Sequence, residues 1–332
     1  MMKYEDISPS SLLGDQNAAM MQDVAMLQGR RREFVEVACP ACAGSRRTSL
    51  YEKYGMQHVA CGDCETQYIS PRPTTKVLRD FYAHSKNYEY WAKHIFPATA
   101  EVRRERIFKP RAKLIADLSR QHGARPGLLM EVGAGYGFFC EEIGKLQVFD
   151  RVVGIEPTPH LAEICRKKGI ETIESVIEDV NLEVKADVVV NFEVIEHLFD
   201  PHAFLAACLE RLNPKGHLIL TCPNIAGFET QMLKRSSDTI DHEHLNYFSP
   251  ASLKKLAERV GFQVIRVQTP GVLDVDIVYQ RLKDQVKEGI EVDPFIQRIL
   301  FSQDESLRDQ FQKFLTEAGL SSNMMLIAQK PR

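Results

Sequence analysis

The chain has 332 residues, 44% hydrophobic and 26% charged, with a formal net charge of −3. This length can carry a sizeable core and more than one domain, and so balanced a charge gives no global basic field to recruit nucleic acid or an anionic membrane. No apolar run approaches the roughly 20 residues of a membrane helix, and the opening MMKYEDISPSS has acids but no hydrophobic stretch, so a cytoplasmic chain without a secretory leader is expected.

Residues 1–35 read as a polar arm, mobile or docking, with a short helical piece ending at Arg30-Arg31-Arg32. Over residues 36–73, short β-like pieces (FVEVA, TSLYEKY, HVA and TQYIS) surround cysteines, and Pro71-Arg72-Pro73 closes a small module. Cys39-x-x-Cys42 and Cys61-x-x-Cys64 are separated by 18 residues, the spacing of a structural zinc site. Four thiolates leave the metal no open position, and zinc binding, about 10–16 kcal/mol in small metal-dependent domains, would supply folding energy the module lacks. Redox pairs or free thiols are the alternative. The module holds four acids and four bases and lacks the basic footprint of a nucleic-acid reader. Cys140, Cys165, Cys208 and Cys222 fall in helix and strand patterns as core thiols.

Residues 74–125 read as a helical linker that covers the substrate. Thr74 or Thr75 caps a helix with Val77, Leu78, Phe81 and Tyr82 at helical spacing, and Tyr88-Glu89-Tyr90-Trp91 follows. A long basic helix then carries Arg103, Arg104, Arg106, Lys109, Arg111 and Lys113, expected as a solvated face.

From residue 126 to 332 strands alternate with helices. Strands are expected at 128–132, 152–155, 186–192, 217–222, 262–267 and 324–330. Helices are expected after Gly133, over 159–168, and after the caps Asp200-Pro201 and Ser249-Pro250. The alternation implies a doubly wound, mainly parallel α/β sheet, with residues 270–320 as a helical insertion before the last strand.

EVGAGYGFF (131–139) stands at the first strand-to-helix turn. Gly133, Gly135 and Gly137 let a ligand approach the main chain, and Glu156, at the end of the next strand, is placed to accept from ribose hydroxyls. A dinucleotide fingerprint would put a third glycine where Phe138 stands. The pattern E-x-G-x-G-x-G, opened by Glu131, instead resembles the class I S-adenosylmethionine-dependent methyltransferases. GIEPTP, NFEVIEHLFDP (191–201), LNPKGHLILTCPN (212–224) and HEHLNYFSPASLKKLAERVGF (242–262) are similar to later segments of that family. The resemblance implies a Rossmann-like seven-stranded sheet and S-adenosylmethionine as cofactor. It places Glu156 on the ribose, Asn191, Phe192 and Glu193 on the methionine side, and Glu178 beside the adenine.

A cysteine module ahead of such a domain resembles zinc-containing sugar methyltransferases, including sugar C-methyltransferases. These carry Y-H-E-H in the loop before the late helix. Here the loop reads Asp241-His242-Glu243-His244, with aspartate replacing tyrosine. The resemblance implies a sugar or sugar-nucleotide acceptor, His244 as base, Glu243 orienting it, and His197 facing the same cleft, with His242 nearby and Tyr88 or Tyr90 closing over the substrate. The basic helix would then receive the nucleotide's phosphates. In an extended loop, His242 and His244 share one side, Asp241 and Glu243 the other, so a second metal on Asp241, His242 and His244 ranks last. The blander alternative is that these histidines only cap or hydrogen-bond. A nicotinamide-dependent oxidoreductase and a non-catalytic zinc-ribbon adaptor are the rival functions.

Overall fold

The N-terminal arm is a packed helix, not a mobile tail. In the computed structural model, which describes every residue except 1, 2, 125, 182 and 288–291, helix α1 (Tyr4–Ile7) leads into α2 (Ser10–Gly29). Val24 and Leu27 of α2 are buried, and Leu27 belongs to a cluster with Met56, Ile69, Val77, Phe81, Leu245 and Tyr247. Burying Leu27 contributes about 1.5–3 kcal/mol toward holding the arm against the rest of the chain.

The cysteine region forms strands β1 (Arg47–Lys53), β2 (Met56–Cys61) and β3 (Gln67–Ile69). FVEVA is not a strand. Only Val35 exchanges backbone hydrogen bonds, with Arg72, because the Cys39-Pro40-Ala41-Cys42 turn begins four residues later. Helices α3 (Thr75–His84), α4 (Lys86–Tyr90), α5 (Phe96–Arg103) and α6 (Lys109–Gln121) follow, and Thr74 accepts from Val77 N as the α3 cap.

Next come β4 (Leu128–Val132), α7 (Phe138–Lys145), β5 (Arg151–Ile155), α8 (Pro159–Lys167), β6 (Glu171–Ile173), β7 (Ala186–Phe192), α9 (Pro201–Arg211), β8 (Leu212–Pro223), α10 (Phe228–Leu233), β9 (Asn246–Tyr247), α11 (Pro250–Val260) and β10 (Gln263–Gln268). Helices α12 (Asp274–Lys287), α13 (Pro294–Leu300) and α14 (Glu305–Glu317) precede β11 (Asn323–Gln329). The insertion expected at 270–320 is helical where described; residues 288–291, like the linker boundary at 125, lie outside the described residues.

The large sheet has seven strands in the order β10-β11-β8-β7-β4-β5-β6. Strands β8, β7, β4, β5 and β6 run parallel and β11 is antiparallel to both its neighbours. Strand β6, with three residues, is too short to leave a periodic signal in the sequence. The chain order reverses between β4 and β7, so the loops after these strands open a crevice at their carboxyl ends.

The small sheet, β1-β2-β3-β9, takes its last strand from 180 residues downstream in the α/β half: Tyr68 pairs with Asn246 and Gln67 with Tyr247. Strand β9 begins two residues after His244.

Candidate active site

The glycine turn after β4 is needed for two different reasons. Gly133, Gly135 and Gly137 have φ of 80°, 55° and 72°, the left-handed region that favours glycine. A Cβ at Gly133 would meet Val194 at 2.7 Å, and one at Gly137 would strike Ile170, so both serve packing. A Cβ at Gly135 would meet nothing within 4 Å, which leaves that side of the turn open to the crevice. Glu156 braces the turn: its Oε2 accepts from Gly135 N and its Oε1 from Thr158 N, both at 2.8 Å. Each oxygen keeps a lone pair for a further donor.

Glu131 is 4% exposed and accepts from Cys140 Sγ at 2.9 Å. Burial pushes its carboxyl up to about 8, against the lowering pull of Cys140 and of the Arg111 charge. Asn191, one residue before the end of β7, has both amide atoms buried and unpartnered. Phe192 meets Phe139 edge-on at 4.8 Å and lies 4.4 Å from the Arg111 guanidinium. Glu193 takes φ 55°, a strained backbone for a glutamate, and its Oε1 accepts from Thr221 (2.6 Å) and Asn323 (3.0 Å). Glu178 is exposed on the turn Ile177–Asp179, which packs beside α9.

The basic helix is a solvated face only in part: Arg106, Lys109 and Lys113 are exposed, whereas Arg103, Arg104 and Arg111 are half-buried. Arg103 lies 5.2 Å from the rings of Trp91 and Phe96 and donates to Ile7 O, while Arg104 pairs with Glu141 and Glu142. Lys109 and Lys113 pair one turn away with Glu105 and Asp117. These partners take up four of the six basic groups, and Arg106 is exposed without an ion pair among the described residues. Arg111 turns inward: among the described residues its guanidinium makes no hydrogen bond, and it stands near Glu131 and Glu193 at the crevice. Reading the helix as a charge run hid this residue, because its inward position depends on where α6 packs.

The loop Asp241–His244 is a turn rather than a strand, so the expected alternation fails. Asp241 Oδ1 accepts from both Glu243 N (2.8 Å) and His244 N (2.7 Å), which folds the backbone back. The side chains then diverge. His242 faces Asp23 at 3.9 Å, with Phe81 and Tyr54 edge-on. Glu243 accepts from Asn87 Nδ2 at 2.9 Å. His244 packs against His197, ring centroids 4.6 Å apart.

His244 Nδ1 lies 2.8 Å from Thr239 O. A carbonyl can only accept, so Nδ1 carries the proton and the Nε2 lone pair is left free. Burial, then the neighbouring His244, lowers the His197 pKa to about 3, which keeps that ring neutral. Glu196, 2% exposed, has two buried unpartnered oxygens, and burial together with Glu193 holds its carboxyl well above the usual range. Donor atoms of Glu196, His197 and His244 gather within 4.8 Å of one another; the set Asp241, His242 and His244 does not gather in this way among the described residues. Tyr88 is 41% exposed and sits edge-on to Tyr82 at 5.6 Å, free to border a ligand, whereas Tyr90 donates its hydroxyl to Leu12 O in the arm.

The cysteine sulfurs also gather. Cys39 and Cys64 are 3.5 Å apart, as are Cys42 and Cys61, and all four sulfurs lie within 4.8 Å of one another. A tetrahedral zinc with bonds of about 2.3 Å sets its sulfurs roughly 3.8 Å apart, so the donor set fits. Gly44 N and Asp63 N point at Cys42 and Cys61 sulfur, 3.4 and 3.3 Å away, as thiolate ligands require.

A family model described as "Methyltransferase domain" matches residues 101–267, half of the chain. A C-methyltransferase, NovU, from Streptomyces niveus is 32% identical over 158 residues, 46% of this chain and 36% of that protein. The match therefore spans little more than a third of that relative's length. A ubiquinone biosynthesis O-methyltransferase from Rhodopseudomonas palustris is 28% identical over 203 residues, 57% of this chain and 74% of that one. An S-adenosylmethionine-dependent methyltransferase structure from Clostridium acetobutylicum aligns with a TM-score of 0.48 at 10% identity, over 74% of this chain and 99% of that one.

Proposed function

The chain belongs to the S-adenosylmethionine-dependent methyltransferases of class I, and on that premise we propose that it methylates a sugar or nucleotide-linked sugar with His244 as proton acceptor. The observation that carries the proton role is the hydrogen bond from His244 Nδ1 to Thr239 O, which fixes the tautomer with Nε2 as base.

When bound, the cofactor supplies an electrophilic methyl group on a sulfonium. In this reading Gly135 gives it room, and Glu156 accepts from its ribose hydroxyls. Glu131 and Asn191 receive its ammonium, and Phe192 and Glu193 border the methionine side. Arg111 takes its carboxylate, a charge-assisted bond of about 1.5–3 kcal/mol. The open side of Gly135, the unsatisfied amide of Asn191 and the position of Arg111 near Glu193 and Glu131 support this placement.

His244 Nε2 takes the proton that the acceptor loses, and Asp241, 3.6 Å from Nδ1, stabilises the imidazolium that forms. Such a base contributes about 10²–10⁴-fold, and fixing the acceptor beside it contributes more. A hydroxyl and a carbon next to a carbonyl both lose a proton, so one histidine serves O- or C-methylation. His197 and Tyr88 border the acceptor, and Glu243, bonded to Asn87 rather than orienting His244, lines its other side. The density of hydrogen-bonding groups suits a polyhydroxylated ring.

Zinc on Cys39, Cys42, Cys61 and Cys64 would be structural, since four sulfurs leave it no open position. Family membership sets aside the nicotinamide-dependent oxidoreductase, and Phe138, 5.0 Å under Arg104, occupies the third-glycine position that close helix–strand packing needs in a dinucleotide fold. The adaptor reading has no use for a base held in one tautomer. Among the described residues no helix is long and apolar enough to cross a membrane.

The test is methyl transfer from labelled S-adenosylmethionine to a panel of nucleotide sugars, with the product located by mass spectrometry. Transfer to a sugar carbon or oxygen is expected. Turnover of a non-sugar acceptor, with none on the panel, would replace the acceptor class and leave the family unchanged.

A further inference from the structure

Asp23 lies in α2, in the arm that precedes the matched methyltransferase region. Its side chain is 1% exposed, and among the described residues no lysine or arginine forms an ion pair with it. Its carboxylate instead accepts from Ser85 Oγ (2.5 Å), Lys86 N (2.7 Å) and Asn87 N (3.0 Å), donors at the start of α4. Ser85 Oγ in turn accepts from Tyr88 N at 3.1 Å. A buried carboxylate is costly to keep, and here its remaining neighbour is His242, 3.9 Å away. From this anchored helix start, Asn87 Nδ2 reaches Glu243 at 2.9 Å.

We infer that Asp23 is a positioning residue of the acceptor site: from the N-terminal helix it sets Asn87 and Tyr88 against Glu243 and flanks His242 on the other side. The inference rests on reading Glu243 and His244 as acceptor-site groups. The arm thereby completes the wall of the acceptor crevice, and the chain that binds the cofactor reads the acceptor through residues outside the methyltransferase domain.

His242 provides a signature that packing alone would not move. It faces Asp23 from α2, Glu243 and Asp241 from its own loop, Tyr54 from the β1–β2 turn, Phe81 from α3, and the more distant His197. Burial opposes its protonation, and the three carboxylates outweigh burial to raise its pKa.

The experiment uses full-length Asp23→Asn. Asparagine keeps the shape but turns an N–H toward one of three donors. The amides of 86–88 are expected to lose protection from hydrogen exchange by about tenfold or more, as expected when a buried cap is lost. The His242 ring, followed by ¹⁵N NMR, is expected to lose its proton at lower pH. S-adenosylhomocysteine affinity by calorimetry is expected to stay within about twofold, since the glycine turn follows β4, inside the large sheet, and shares no hydrogen bond with Asp23 among the described residues. Unchanged protection and an unchanged His242 titration overturn the inference. If Asp23→Asn does not fold, Asn87→Ala leaves the Asp23 bonds to Ser85 and Lys86 intact. It should raise the Glu243 carboxyl titration in ¹³C NMR, and an unmoved Glu243 overturns the link. None of these readouts depends on the acceptor, so failure of the sugar reading shows only in the acceptor panel.

Discussion

Arg72 donates to the side-chain oxygen of Asn246 at 3.1 Å, and Asn246 lies two residues after His244. The same guanidinium reaches Ile69 O (3.0 Å), Phe199 O (3.0 Å) and Leu245 O (3.3 Å). Asn246 Nδ2 completes the hub at Leu198 O (2.8 Å) and Ile195 O (3.2 Å). Burial lowers the Arg72 pKa to about 10, so it stays charged at neutral pH, held by carbonyl dipoles. One buried cation thus ties the cysteine module to the loops that carry His197 and His244.

Zinc removal is expected to act at a distance through this hub and the β3–β9 pairing. Metal analysis should find one zinc per chain. Chelation should expose residues 36–73 to hydrogen exchange and abolish methyl transfer, while S-adenosylhomocysteine still binds. Full turnover in metal-free protein would break the proposed coupling.

His244→Ala is expected to lower turnover by about 10²–10⁴-fold. Cofactor affinity should change little, because His244 contacts His197 and Thr239 rather than the glycine turn. Single-turnover kinetics check this, and a rate near wild type would remove the base assignment.

Arg111→Met is expected to weaken S-adenosylhomocysteine binding by roughly 10–100-fold, the loss of one charge-assisted bond of about 1.5–3 kcal/mol. Binding of 5′-methylthioadenosine, which has no carboxylate, should barely change. Equal losses for both ligands in calorimetry would mean that Arg111 supports the fold instead.

Glu131 sets a pH dependence. Its carboxyl sits at about 8 in the folded chain, against roughly 4.3 in an unfolded one. Between these values the native state holds the extra proton, so the Glu131 contribution to stability falls as pH rises through that window. Thermal melts from pH 5 to 8.5 should show a weaker decline in Glu131→Gln than in wild type. Cofactor should flatten the wild-type slope, since its ammonium favours the ionised carboxylate. Parallel slopes for the two proteins would contradict this.

Much of the frame was legible because its signals are local. A glycine turn between an apolar strand and a helix, paired C-x-x-C turns, and the Asp200-Pro201 and Ser249-Pro250 caps each act over a few residues. They carry the α/β architecture, the glycine turn and the cysteine cluster. Strand β6 escaped because three residues hold no period.

The site itself depends on placement that no local pattern encodes. Arg111 looks like its basic neighbours until α6 packs and turns it toward Glu131. Asp241 reads as an alternating loop residue until it captures two backbone N–H groups and sends His242 and His244 to different partners. Asp23 and Asn246 reach their partners across 62 and 174 residues. Backbone propensity and turn chemistry are short-ranged, so they survive in the order of residues. The pairing of buried charges is not: which carboxylate faces which histidine is set when separate helices and sheets pack, and burial then raises the cost of any other arrangement.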